Sequence, residues 1–374
     1  MIEVPKHIAT LQPYKPGASV KDIQAQYGIE TLVKLASNEN PYGVSPLAQK
    51  AFQNSSFAVD TYPDGGASLC KVLGERFNKP ANNFIAANGS DALIHLILKT
   101  FLGVNDHILA FAGTFVGLQV AAALNAKQST FVPLDKNYEM NVDSLIASVK
   151  VNTKIIYIAN PNNPTGTYLI TEDLKKLIQA VPKHILIILD EAYFEFSKLL
   201  LGDEYPDSMD FATENVITLR TFSKIYGLAG LRIGYAFSNE DIISSMMKVK
   251  LPFEPNLIAQ EIAIAALEDT AFVERSATLV RQEVPTMIQS LRLQGWSVPN
   301  SAGNFVMVDC GTPEDAQTVY ESLLKKGYIT RPLRGFGLPH CVRISIGLPE
   351  VNRELIVAMD LIRKQNPEIL PLYV

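Results

Sequence analysis

The sequence predicts an α/β protein, a large domain with a mostly parallel sheet sandwiched by helices and a smaller α+β C-terminal domain. Three observations carry this. The chain has 374 residues, 47% of them hydrophobic, more than a single core usually fills. From Phe84 onward, short apolar runs alternate with turn residues and helical stretches, as in βαβ units. Ile185 to Leu189 is a continuous apolar run, as expected of a strand buried on both faces.

Residues 1 to 36 contain Pro5, Pro13, Pro16 and Gly17, which break helices. This stretch reads as an arm, with a helical piece from Val20 to Tyr27. A polar segment, Leu35 to Pro41, follows and includes Asn38. Tyr62-Pro63-Asp64-Gly65-Gly66 is a turn by composition, with Tyr62 exposed on its rim.

The large domain is expected over 37–256. Phe84 to Ala87 is its first strand, Asn88 to Asp91 a turn and Ala92 to Phe101 a helix. Such a strand, turn and helix start offers free N–H groups and a helix dipole to an anion. His107 to Phe111 is a strand and Thr114 to Ala126 a helix, with Phe115 at its start. Ile155 to Ile158 empties into Asn160 to Gly166, too rich in proline and asparagine to be regular structure. A helix, Glu172 to Val181, precedes the strand Ile185 to Leu189, which ends in Asp190-Glu191-Ala192-Tyr193. An acid at the carboxyl end of a buried parallel strand lies where open α/β sheets bind ligands. Val216 to Leu219 is a strand leading into Thr221, Ser223 and Lys224, then Gly227, Gly230 and Arg232. Ile233 to Phe237 closes that segment, and Asp241 to Lys250 reads as a helix.

The remainder, 257–374, changes order. A long helical tract from Leu257 to about Gly295 is followed by strands at Phe305 to Val308, Ile329 to Leu333 and Val342 to Ile346. Helices at Pro313 to Lys326 and Val351 to Lys364 complete a small α+β domain. Arg331 and Arg343 lie on its strands, where together they could clamp a phosphate or carboxylate.

Composition narrows the partners. The net charge is −5 and no basic run stands out, which disfavours nucleic acid and anionic membranes. Cys70, Cys310 and Cys341 lie far apart without a C-x-x-C pair, as suits a reducing compartment rather than a disulfide framework or zinc knuckle. The histidines show no metal-ligand spacing, so no metal is expected. The N-terminal stretch lacks an apolar core of signal length and no apolar run is long enough to span a bilayer, so a soluble cytoplasmic protein is expected.

The chemistry centres on Lys224. Two hydroxyls, a lysine and an arginine at a strand end suit a phosphate with something reactive beside it. Phe222, Ile225 and Tyr226 around the lysine form an apolar wall that would lower its pKa and make it a better nucleophile. Thr221-Phe222-Ser223-Lys224 with Gly227, Gly230 and Arg232 resembles the Schiff-base lysine motif of fold-type I pyridoxal-phosphate (PLP) aminotransferases. With Asn160 to Gly166 and Asp190 to Tyr193 it resembles the class II signature of that family. Leu11 to Gly17, Lys34 to Pro41, Tyr62 to Gly65, Arg331 to Pro339 and Val342 to Gly347 resemble the histidinol-phosphate aminotransferases.

That resemblance implies pyridoxal 5′-phosphate as cofactor. It implies Lys224 as the lysine that holds the aldehyde and as the catalytic residue, with Asp190 against the pyridine nitrogen. Asn163 and Tyr193 would reach the 3-oxygen, and Phe115 would stack on the ring. Gly89, Ser90, Asp91, Thr221, Ser223 and Arg232 would surround the phosphate. Tyr62 would reach the phosphate of the cofactor in the partner subunit, so a homodimer is implied. Arg331 and Arg343 would grip the substrate, with Tyr14 and Asn38 beside it.

The implied reaction exchanges histidinol phosphate and 2-oxoglutarate for imidazole-acetol phosphate and glutamate, in histidine biosynthesis. Aromatic amino-acid aminotransferases and threonine-phosphate decarboxylase share the framework and are the alternatives. Many relatives carry proline before the threonine that corresponds to Thr114; this chain has Gly113. It also has Leu118 where a tyrosine is common, and Ala92 where an acid or amide is common.

Overall fold

The structure is a computed structural model that describes residues 2–9, 24, 28, 32–125, 127–211 and 214–369. Tyr14 and the rest of Leu11 to Gly17, with most of Val20 to Tyr27, lie outside the described residues. The described strands, in chain order, are β1 (Val33–Lys34), β2 (Phe84–Ala87), β3 (His107–Phe111), β4 (Gln128–Val132), β5 (Thr153–Ala159) and β6 (Leu186–Asp190). Then come β7 (Val216–Thr221), β8 (Gly234–Phe237), β9 (Phe305–Asp309), β10 (Tyr328–Ile329), β11 (Arg331–Pro332) and β12 (Cys341–Ser345).

The main sheet has seven strands in the order β2-β8-β7-β6-β5-β3-β4. Strands β4, β3, β5, β6 and β7 run parallel, and β8 lies antiparallel between β7 and β2. Period-two alternation buries both faces. Ile155, Tyr157 and Ile188 pack with Leu93, Ile94 and Ile97 of the helix Ser90–Phe101 on one face. Ile156, Ile158, Ile187 and Leu189 pack with Leu174 and Leu177 of the helix Thr171–Ala180 on the other. Each of the buried isoleucine and leucine side chains among these contributes about 1.5–3 kcal/mol.

The small sheet has the order β11-β12-β9, all antiparallel. Beside it, β1 pairs in parallel with β10, so the chain just before Leu35 is tied to the C-terminal part.

Several expectations need correction. The single strand expected over Ile329 to Leu333 is two short strands in different sheets, β10 and β11. Pro332 has no N–H to extend a ladder, and the chain changes partner at Thr330. The tract from Leu257 is two helices, Leu257–Leu267 and Thr270–Leu293, because the Asp269 side chain accepts from Phe272 N at 3.2 Å and caps the second. The first of these packs on the helices Pro46–Asn54 and Ala67–Phe77, beside the large sheet. Strand β4 escapes notice because its Gln128-Ser129-Thr130 start is polar, with Gln128 and Ser129 exposed at the sheet edge. No described helix is long and apolar enough to cross a membrane.

Candidate active site

The carboxyl ends of β5, β6 and β7 and the turn after β2 frame one cleft. Ala159, Asp190 and Thr221 end those three parallel strands and all line it, as the parallel topology dictates. Of the residues singled out in the sequence, Ser90, Asp91, Phe115, Asn163, Asp190, Tyr193, Thr221, Ser223, Lys224 and Arg232 also line it.

Lys224 sits in the turn after β7. Its neighbours Phe222, Ile225 and Tyr226 are buried and anchor that turn in the core. Gly227, at φ 70°, lets the turn close on the backbone of Gly43, where a Cβ would stand 1.9 Å from the carbonyl oxygen. Lys224 Nζ donates to the Ser37 carbonyl at 2.9 Å and lies 5.8 Å from the Tyr193 ring centre. Burial, helped by the charges of Arg343 and Arg232, pulls its pKa down to about 8, against the opposing pull of Glu39 and Asp91. The apolar wall expected from sequence is present and acts in the expected direction.

Asp190 is buried. Its Oδ2 accepts from the Tyr157 hydroxyl at 2.7 Å and the Ala192 N–H lies close enough to lower its pKa, while its buried Oδ1 has no partner of good hydrogen-bond geometry among the described residues. Burial pushes its pKa up to about 6; the Tyr157 hydrogen bond and Lys224 pull the other way. An orphaned carboxylate oxygen at a cleft wall calls for a donor from a ligand. Tyr157 was missed in the sequence. The available signal was a hydroxyl tip within an aliphatic strand, which when buried must find a partner.

The anion cradle is also present. The helix Ser90–Phe101 begins at Gly89 without a capping side chain, so its first N–H groups face the cleft with the positive end of the helix dipole. Gly89, at φ 89°, lies behind the cleft lining, where a Cβ would meet an Arg232 guanidinium nitrogen at 2.8 Å. Arg232 Nη1 donates to Ser223 Oγ at 3.2 Å, and Thr221 Oγ1 to the same oxygen at 3.0 Å. Arg232 Nη2 lies 3.4 Å from Asp91 Oδ2. Two hydroxyls, a guanidinium and a bare helix start form a site for a phosphate-sized anion.

Phe115 supplies a flat wall. A Cβ on Gly117 would stand 2.4 Å from a ring carbon of Phe115, so glycine there makes room for the ring. Gly113 adopts φ 60°, which proline cannot reach, so this turn is built for glycine. Asn162, fully buried, donates from Nδ2 to the Gly113 carbonyl at 2.9 Å and binds this turn to the Asn160–Gly166 loop.

Other candidates lie outside the lining. Asn38, at φ 55°, is buried and donates from Nδ2 to the Tyr193 hydroxyl at 2.9 Å. Its own Oδ1 accepts from Ser345 Oγ at 2.8 Å, so it holds Tyr193 against the small sheet. Arg343 is buried and donates to Asn163 Oδ1 and to the Ala36 carbonyl. Arg331 stands directly opposite Arg343 across the β11–β12 ladder, so their side chains share one face. Tyr62 is not part of the lining; it is 79% exposed and stacked on Phe253 at 4.3 Å. Behind the cleft, Arg220 is held by Glu191 Oε2 at 2.8 Å and Asp207 Oδ1 at 2.6 Å, which fixes the segment that follows Asp190.

Residues 30–359 match the family described as aminotransferase class I and II. The chain is 37% identical over 364 residues to the histidinol-phosphate aminotransferase of Anaeromyxobacter sp. strain Fw109-5, covering 95% of this chain and 98% of that one. It is 38% identical over 357 residues to histidinol-phosphate aminotransferase 2 of Pasteurella multocida, covering 94% and 96%. The crystal structure of the histidinol-phosphate aminotransferase from Sinorhizobium meliloti in complex with pyridoxal-5′-phosphate superposes with a TM-score of 0.86 at 25% identity, over 98% of each chain.

Proposed function

This chain belongs to the class I and II aminotransferases and, within them, to the histidinol-phosphate aminotransferase family, and we infer from that premise that it moves an amino group between histidinol phosphate and 2-oxoglutarate, giving imidazole-acetol phosphate and glutamate. The step belongs to histidine biosynthesis, in the cytoplasm. Pyridoxal 5′-phosphate fits the residues of the cleft: Asp190 Oδ1 lacks a donor, Phe115 offers a flat face, and the start of Ser90–Phe101 with Thr221, Ser223 and Arg232 suits a phosphate. When bound, the cofactor supplies an electron sink for the charge left at the substrate's Cα. Asp190 would keep the pyridine nitrogen protonated by placing an opposite charge beside it. Asn163 and Tyr193, both on the cleft wall, would hold the 3-oxygen. Lys224 Nζ, with its lowered pKa, is the group that would hold the aldehyde and, when free, would move the proton at the substrate's Cα. The expected division into an arm (1–36), a large domain (37–256) and a small domain (257–374) goes with this function, with helix Leu257–Leu267 seated on the large domain.

The choice of a phosphorylated substrate is carried by one observation, the direct cross-strand pairing of Arg331 with Arg343. Like charges directly opposite are unfavourable in a ladder, and a shared anion relieves the repulsion. Arg343 serves a phosphate in one half-reaction and the glutamate carboxylate in the other. The test compares kcat/KM for histidinol phosphate, phenylalanine and threonine phosphate. Histidinol phosphate is expected to be the best amino donor. If phenylalanine is good and histidinol phosphate poor, the substrate assignment fails. Arg331→Leu is expected to lower kcat/KM for histidinol phosphate roughly 10- to 150-fold, the value of a charged hydrogen bond of about 1.5–3 kcal/mol, and to spare phenylalanine.

The working unit is a homodimer in which Tyr62 reaches the cofactor phosphate of the partner subunit. Tyr62, Phe253, Val59 and Phe52 are apolar or aromatic, all at least 50% exposed, and together give an association surface. Sedimentation should give a dimer. Tyr62→Phe should weaken cofactor binding about tenfold through loss of one hydrogen bond to a charged group. A monomer with full activity would rule this arrangement out.

A further inference from the structure

Away from the cleft, a second group of chemistry-bearing side chains meets at the small sheet. Asp309 ends β9 and Cys341 begins β12, and the antiparallel register sets them directly opposite each other. His340 precedes Cys341. One carboxylate oxygen, one imidazole nitrogen and the thiol sulfur all lie within 4.8 Å of one another. Spacing along the chain hides this set, because strand register rather than sequence proximity brings Asp309 to Cys341.

A fourth side chain comes from the large sheet's side. Tyr138, at φ 64° in the turn after β4, donates its hydroxyl to Asp309 Oδ2 at 2.6 Å. The Tyr138 hydroxyl oxygen also lies 3.0 Å from His340 Nε2 and 3.6 Å from Cys341 Sγ. It therefore touches all three donor groups at once. Thr167 Oγ1 donates to the Tyr138 carbonyl at 2.8 Å and fixes the turn that presents it. Asp309 and Cys341 are buried, whereas His340 and Tyr138 are half-buried.

We propose that Asp309, His340 and Cys341 form a binding site for a borderline-soft divalent cation of the zinc type, and that the Tyr138 hydroxyl fills the ion's position when the ion is absent. One sulfur, one nitrogen and one oxygen donor suit zinc or cobalt, whereas magnesium and calcium take oxygen ligands. Zinc bonds of about 2.0–2.3 Å put tetrahedral donors roughly 3.3–3.8 Å apart, so the three atoms need only small side-chain rotations to close on an ion. On binding, the cysteine S–H bond gives way to a sulfur–metal bond and the proton leaves to solvent. The ion takes over the three contacts of Tyr138, so uptake releases the turn after β4 from the small sheet. Arg343 lies on β12 just beyond Cys341, so the ion would sit on the strand that carries a substrate arginine.

Cobalt(II) titration of the cofactor-loaded protein tests the proposal. The wild type is expected to bind one ion per chain, with a thiolate-to-cobalt charge-transfer band. Cys341→Ser should lose that band. His340→Ala removes a half-exposed ring without opening the core and should weaken binding at least about tenfold. Tyr138→Phe removes the competing hydroxyl and should tighten binding several-fold. The cofactor's own visible band reports that each variant is folded. A wild type without the charge-transfer band, or a band that survives in Cys341→Ser, overturns the proposal, as does unchanged binding in His340→Ala.

Discussion

Replacing Lys224 by alanine is expected to lower transamination by about 10⁴-fold or more while leaving the protein folded. The side chain is half-buried and, among the described residues, its amine hydrogen-bonds to a backbone carbonyl, at Ser37, so its removal costs the fold little. Its loss removes both the group that would hold the cofactor aldehyde and the base that would move the Cα proton. Lys224→Arg keeps the charge but not the nucleophile, and should be as inactive as alanine. Single-turnover assays separate this loss from slow product release. A variant with near wild-type turnover would remove Lys224 from the chemistry. The lowered pKa adds a pH signature. The amine is neutral above about 8, so attachment of added pyridoxal phosphate to cofactor-free protein should speed up as pH rises through that value.

Asp190→Asn should cost roughly a hundred- to a thousandfold in kcat, the range for removing one preorganised charge partner. The amide is nearly isosteric, so the melting temperature should change little while the pyridine nitrogen loses its counter-charge. The carboxyl's pKa is raised to about 6 by burial, so it is neutral below that pH and charged above it. Cofactor affinity should therefore fall as pH drops through about 6. Stability runs the other way in cofactor-free protein. A carboxyl whose folded pKa exceeds its unfolded value favours folding at low pH, and that contribution is lost as pH rises through about 6. Tyr157→Phe removes the hydrogen bond that lowers this pKa, so both midpoints should move upward. Full activity in Asp190→Asn, or a cofactor affinity flat across this range, would argue against the assignment.

Most of the cleft was legible because parallel strands deliver their carboxyl ends to one edge. Ile185 to Leu189 and Val216 to Leu219 were each read as strands, and their parallel pairing brings Asp190 and Lys224 to a common cleft. The glycine and hydroxyl residues around them mark turns whatever the tertiary structure. The missed parts depend on contacts distant in sequence. Tyr157 reads as core until Asp190 is seen across the β5–β6 pair. Asn38 reads as loop until its amide is found under Tyr193. The split of Ile329 to Leu333 depends on a partner strand near the other end of the chain, which local propensity cannot reveal. The break at Asp269 depends on its side chain accepting from Phe272 N, which the helical periodicity on both sides does not signal.

Borohydride reduction of the pyridoxal-phosphate-loaded protein, followed by peptide mapping, addresses the covalent chemistry at its source. The visible band should disappear on reduction, and the pyridoxyl group should be recovered on the peptide that carries Lys224. A protein that takes up no cofactor, or a label recovered on any other lysine, would contradict the site described above.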